Sequence, residues 1–160
     1  MERVTSYLGI GFLALLAQLT LADWINILGI QPDFITLLVI YIGYREGKGY
    51  GIVFGFLLGL LQDLTAASAF VGLSALIKSI LGFSAGFLYG KYNVMNPIFL
   101  YILVASLILF DQVLYYGIYY AASPLRFGAL LQHFILPSFA YTTVIGSVLL
   151  LVLPLQLREA

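Results

Sequence analysis

Asp63, Lys78 and Asp111 each interrupt a long apolar stretch; Gln62 adjoins Asp63, Gln112 adjoins Asp111, and a Gln132–His133 pair follows in the last apolar stretch. Two carboxylates and an amine in one cleft are the raw material of acid–base chemistry. Catalysis would also need a nucleophile held against a base, or a metal to activate water. No Ser–His arrangement or metal-ligand spacing accompanies these residues, and the chain has no cysteine and a single histidine. Neutralisation of charge in lipid explains them better, so no catalytic residue, metal or cofactor is expected.

The surroundings support that reading. Of 160 residues, 62% are hydrophobic and 9% charged, where a soluble domain carries about 25% charged residues. The solvent for such a chain is a lipid bilayer. The formal net charge is +0, which gives nucleic acid no electrostatic handle.

A helix needs about 20 apolar residues to cross a bilayer. By that measure the chain reads as a single domain of six transmembrane helices, an all-α integral membrane protein. The spans fall at about 4–23, 30–45, 49–62, 71–90, 96–120 and 128–156, the last interrupted by Pro137. The second and third are short, and a re-entrant hairpin over 32–62 is the alternative. Arg3 with the apolar run 4–22 imitates a signal peptide, but that run is long enough to span and further spans follow it, so a retained first helix is expected.

Loop charges set the orientation. With the N-terminus in the cytoplasm, Arg3, Arg45, Lys48, Lys91 and Arg158 lie inside and only Arg126 lies in an outside loop. That bias obeys the positive-inside rule. Trp24 and Tyr115–Tyr120 then fall near the outer interface, and Tyr44, Tyr50, Tyr89 and Tyr92 near the inner one. Both termini are expected inside.

Gly47, Gly51, Gly55 and Gly59 recur every four residues in the third span, and the next step is Asp63. In the fourth span Gly82, Gly86 and Gly90 do the same, and stepping back reaches Lys78 and then Ser74. Small residues at this spacing let two helix backbones touch. Gly51, Gly55, Gly59, Gly82 and Gly86 are therefore the expected packing residues. Lys78 and Asp111 each lie roughly 10 Å or a little more below the outer end of their spans at 1.5 Å per residue. A lone charge at such depth costs at least about 2.5–3.5 kcal/mol, so Lys78 is expected to meet Asp63, Asp111 or both. Gln62, Asp63, Lys78, Asp111, Gln112 and His133 then form a polar cluster in the outer half. It is either a cavity for a ligand or partner, or a set of satisfied hydrogen bonds that fixes helix register.

"PDF" at 32–34, Arg45 with Gly47 and Gly51, "GF" at 55–56 and "GLLQD" at 59–63 resemble the bacterial rod shape-determining protein MreD family. "GLSAL" at 72–76, "GF" at 82–83 and Gly86 continue the resemblance, whereas the outer turn "LTAASAFV" lacks the glycine and proline usual there. The resemblance implies a non-enzymatic component of the cell-elongation machinery in the bacterial inner membrane. It implies binding to the membrane-anchored protein MreC, and action with the RodA glycosyltransferase, its paired transpeptidase and, indirectly, actin-like MreB. It also implies a fold similar to the substrate-binding subunits of energy-coupling-factor vitamin transporters.

That last likeness supplies the rival function, a small-molecule capture subunit. Such subunits resemble one another in an alanine repeat of four on the first helix. Ala14, Ala17 and Ala22 do not keep that spacing, and the small-residue stripes lie on spans three and four. A membrane scaffold is the expected function.

Overall fold

Asp33 starts a helix. Its carboxylate accepts a 2.9 Å hydrogen bond from the amide of Thr36, filling one of the donors that a helix start leaves free. The helix it starts is second in a computed structural model that describes residues 2–24, 31–65, 70–91, 96–121 and 127–152. The described residues form six helices and no strand. These are α1 (Glu2–Trp24), α2 (Phe34–Glu46), α3 (Lys48–Thr65), α4 (Leu73–Ala85, continued by a 3-10 turn Gly86–Leu88), α5 (Pro97–Tyr119) and α6. The last is built from Phe127–Leu130, a π-helical turn Leu131–Ile135 and Leu136–Val152.

A single residue, Gly47, separates α2 from α3. Its φ of 90° belongs to the region where a Cβ is disfavoured, and its amide closes on Gly43 O at 2.9 Å. The helices run antiparallel in sequence order. Tyr7 of α1 donates to Glu46 at the end of α2 (2.7 Å), while Gln18, further along α1, bonds to the start of α2. Tyr101 of α5 pairs with Ser147 near the end of α6, and Tyr116 with Ser138 near its beginning (3.2 Å).

The centre of the bundle is α2. Ile35, Thr36, Val39 and Ile42 are fully buried, and the core around them takes Tyr7 and Leu15 from α1, Phe54 and Leu58 from α3, Leu81 from α4 and Ile108 from α5. A helix apolar all round belongs inside a bundle. With 13 residues it is about 20 Å long, well under the ~30 Å hydrocarbon thickness. It begins at Phe34, later than the expected start at 30, because Asp33 caps it there.

The other five helices cover α2 and turn large apolar side chains outward. Phe12 and Leu13 on α1, Val53 and Phe56 on α3, Leu76 on α4, Ile98 and Ile102 on α5, and Val144 on α6 are all exposed. In water such a belt is an aggregation liability; against acyl chains it is the favourable outer surface. Among the described residues, two helices are long and apolar enough to cross a membrane by themselves: Ile98–Tyr119, with mean hydropathy 2.1, and Phe127–Val148, with 1.2.

The π turn has a local cause. Pro137 has no amide to offer the carbonyl four residues back, and its ring crowds that carbonyl. The Leu136 amide bonds instead to Leu131 O, five residues away. The inward side of α6 therefore runs Leu130, Ile135, Ser138, Thr142, all buried. Of the residues that carried the orientation argument, Tyr92, Arg126 and Arg158 lie outside the described residues, as do the side chains of Arg3 and Trp24.

Candidate functional site

The glycine stripes place the site. A Cβ on Gly51 would run into the carbonyl of Gly82, and one on Gly82 into the carbonyl of Gly51. Gly55 faces the Lys78 carbonyl in the same way, Gly59 lies against Ser74 O (2.6 Å from its Cβ position), and Gly86 against Lys48 Cα (2.5 Å). α3 and α4 are thus zipped backbone to backbone, and Gly43 of α2 joins them against Gly82 O (2.5 Å). The stripe ends differ from expectation. Gly47 and Gly90 sit at positive φ in turns, and neither brings two backbones together.

This close approach carries Lys78 to the start of α2. Its Nζ donates to Asp33 Oδ2 at 2.7 Å and to Thr36 Oγ1 at 2.6 Å. Asp111 Oδ2, from α5, lies 3.8 Å from the same nitrogen and accepts the Thr36 hydroxyl proton at 2.9 Å. One hydroxyl thus accepts from an ammonium and donates to a carboxylate, using both of its capacities. Lys78 and Asp111 are 2% and 3% exposed; at such burial an unpaired charge is untenable. Around this centre, Gln18 Nε2 donates to Pro32 O (3.1 Å), Gln18 Oε1 accepts from the Phe34 amide (3.0 Å), and the Asp33 amide reaches Thr142 Oγ1 (3.3 Å).

A cavity of about 200 Å³ opens beside the network, lined by Gln18, Asp33, Gln62, Lys78, Asp111 and Gln112, with Tyr115 and Tyr116 of α5 contributing further wall. Among the described residues, two buried oxygens of this lining make no hydrogen bond: Asp111 Oδ1 and Gln62 Oε1.

Of the residues singled out in the sequence, Gln62, Lys78, Asp111 and Gln112 meet at this cavity. Asp63 and His133 do not. Asp63 Oδ2 accepts from the amides of Gly72 (2.8 Å) and Ser74 (3.0 Å), so it caps α4 and leaves Lys78 to others. Gly72 stands at the cap position without a side chain to do this, and the free amides of a helix start attract a carboxylate. His133 is exposed, because the π turn rotates it and Gln132 away from the buried side of α6. Asp33 and Thr36 are the residues that sequence reasoning left out, although Asp33 stood in view at the head of the second span, within reach of a lysine stem.

Helices with apolar outer faces around a buried, paired charge network are the build of an integral membrane protein. The family model described as rod shape-determining protein MreD matches residues 3–159; the chain belongs to that family. The family is part of the rod-shape machinery and is not a known enzyme family. No curated protein and no solved structure matches the chain.

Proposed function

We propose that the chain is a non-enzymatic scaffold of the bacterial cell-elongation complex, spanning the cytoplasmic membrane six times with both termini in the cytoplasm. Its direct partner is an MreC-like protein with a single membrane anchor. The RodA glycosyltransferase and its transpeptidase complete the assembly, and MreB is reached indirectly. The observation that carries this reading is the family match along nearly the whole chain. The exposed apolar faces of α1, α3, α4, α5 and α6 offer surfaces on which another helix can pack in lipid.

The cavity gives a second reading some footing, that of a vitamin-type capture subunit. Its volume of about 200 Å³ falls below the ~300–1,000 Å³ of pockets that enclose drug-sized ligands, which favours the scaffold. Affinity purification from native membranes separates the two readings. The scaffold co-purifies with an MreC-like protein, and loss of the gene rounds a rod-shaped host. Recovery of a transport ATPase module in its place overturns the proposal.

A further inference from the structure

The charge network is unbalanced. Asp33 and Asp111 face one ammonium, Lys78. The other described cations with described side chains, Arg45, Lys48 and Lys91, lie at the opposite ends of α2, α3 and α4. Two acceptor atoms of residues that line the cavity, Asp111 Oδ1 and Gln62 Oε1, are buried without a donor. Leaving a carboxylate oxygen so placed unfilled is costly.

We propose that the cavity beside Lys78 is a binding site for a primary ammonium group, carried by a small free amine or by an ethanolamine lipid headgroup. An ammonium has three donors and no acceptor, which suits two unfilled acceptors and an excess carboxylate. The Tyr115 and Tyr116 rings in the same wall favour a cation. An anion is disfavoured, because two of the three Lys78 donors go to Asp33 and Thr36 and the same wall carries the carboxylates of Asp33 and Asp111. A divalent metal wants six or more oxygen ligands, and the described residues hold no group of three or more His, Cys, Asp or Glu side chains placed for one. At about 30 Å³ per water, about 200 Å³ has room for several waters, and so for a two-carbon amine.

This inference stands apart from the identity of any protein partner. It is tested on the full-length chain in two arms. In detergent, ethanolamine is titrated against choline, which has the charge but no N–H donor, with thermal unfolding as the readout. In nanodiscs of equal phosphatidylethanolamine and phosphatidylglycerol, native mass spectrometry counts the lipid retained. Ethanolamine should stabilise the protein where choline does not, or phosphatidylethanolamine should be retained in preference. The first result identifies a free amine as sufficient and the second, without the first, identifies the headgroup. D111N and Q62L should each weaken the positive arm, D111N by at least about tenfold, as loss of a charge-assisted hydrogen bond requires. Q62L removes an atom without a partner and so tests the site even if D111N does not fold. If neither amine source is preferred over its control, or if Q62L binds as the wild type does, the proposal is wrong.

Discussion

Lys78 Nζ sits 2.7 Å from Asp33 Oδ2, joining the middle of α4 to the first residue before α2. Replacing Lys78 with Leu strands two carboxylates. Loss of one member of a buried pair costs about 3–5 kcal/mol. K78L should therefore cut the yield of folded protein on size-exclusion chromatography sharply. Adding D33N should recover part of that yield, whereas adding D63N should recover none, since Asp63 serves α4. Equal rescue by D63N would refute the assignment.

Asp63 acts through acceptor geometry. Both amides converge on one oxygen, Oδ2, and an asparagine side chain keeps an oxygen there. D63N should be nearly neutral and D63L should lose about 0.5–2 kcal/mol, the usual worth of a helix cap. Thermal unfolding in detergent reads the difference.

Glycine substitutions should split by sign. Alanine at Gly51 or Gly82 puts a Cβ into facing backbone, and such overpacking costs about 1–3 kcal/mol. Alanine at Gly9 or Gly117 meets nothing within 4 Å and should stabilise by up to about 1 kcal/mol through helix propensity. A uniform response across the four sites would mean that the backbone contact is unimportant.

The orientation is checked with single cysteines, which the cysteine-free sequence permits without background. A membrane-impermeant maleimide, applied to intact cells with a permeabilised outer membrane, should label cysteines at positions 26, 67 and 123. Cysteines replacing Lys48 and Asn93 should stay unlabelled. Labelling at 48 would invert the topology.

The period of four in the two stripes was legible because a helix turn makes spacing into a face. Gly51–Gly82 and Gly55–Lys78 then pair by counting in opposite directions along antiparallel helices. Of the partners of Lys78, Asp111 was expected and lies 3.8 Å from its Nζ, whereas Asp33 was not legible in the same way. Nothing local distinguishes Asp33, Asp63 and Asp111 as candidates. The choice is made by Gly72, whose lack of a side chain draws Asp63 to α4, and by the central position of α2, which brings Asp33 inward. His133 was misplaced for a different reason: it lies within the π turn Leu131–Ile135, where the regular helical wheel does not hold, and Pro137 signals an irregularity without saying how it is resolved. The lengths of α5 and α6 could be read from hydropathy, whereas α2 could not, since its ends are set by Asp33 and Gly47 and not by a membrane.

The order of synthesis adds a constraint on assembly. Asp33 emerges 45 residues before Lys78 and 109 before Thr142. At about 5–20 residues per second, the carboxylate waits roughly two to nine seconds for its cation. A lone carboxylate at the centre of a bilayer costs about 2.5–3.5 kcal/mol, so in the six-span arrangement proposed above Asp33 is best kept at the aqueous edge while it waits. In that arrangement α2 reaches its final seat only after α4 has been made, so the order of burial differs from the order of synthesis.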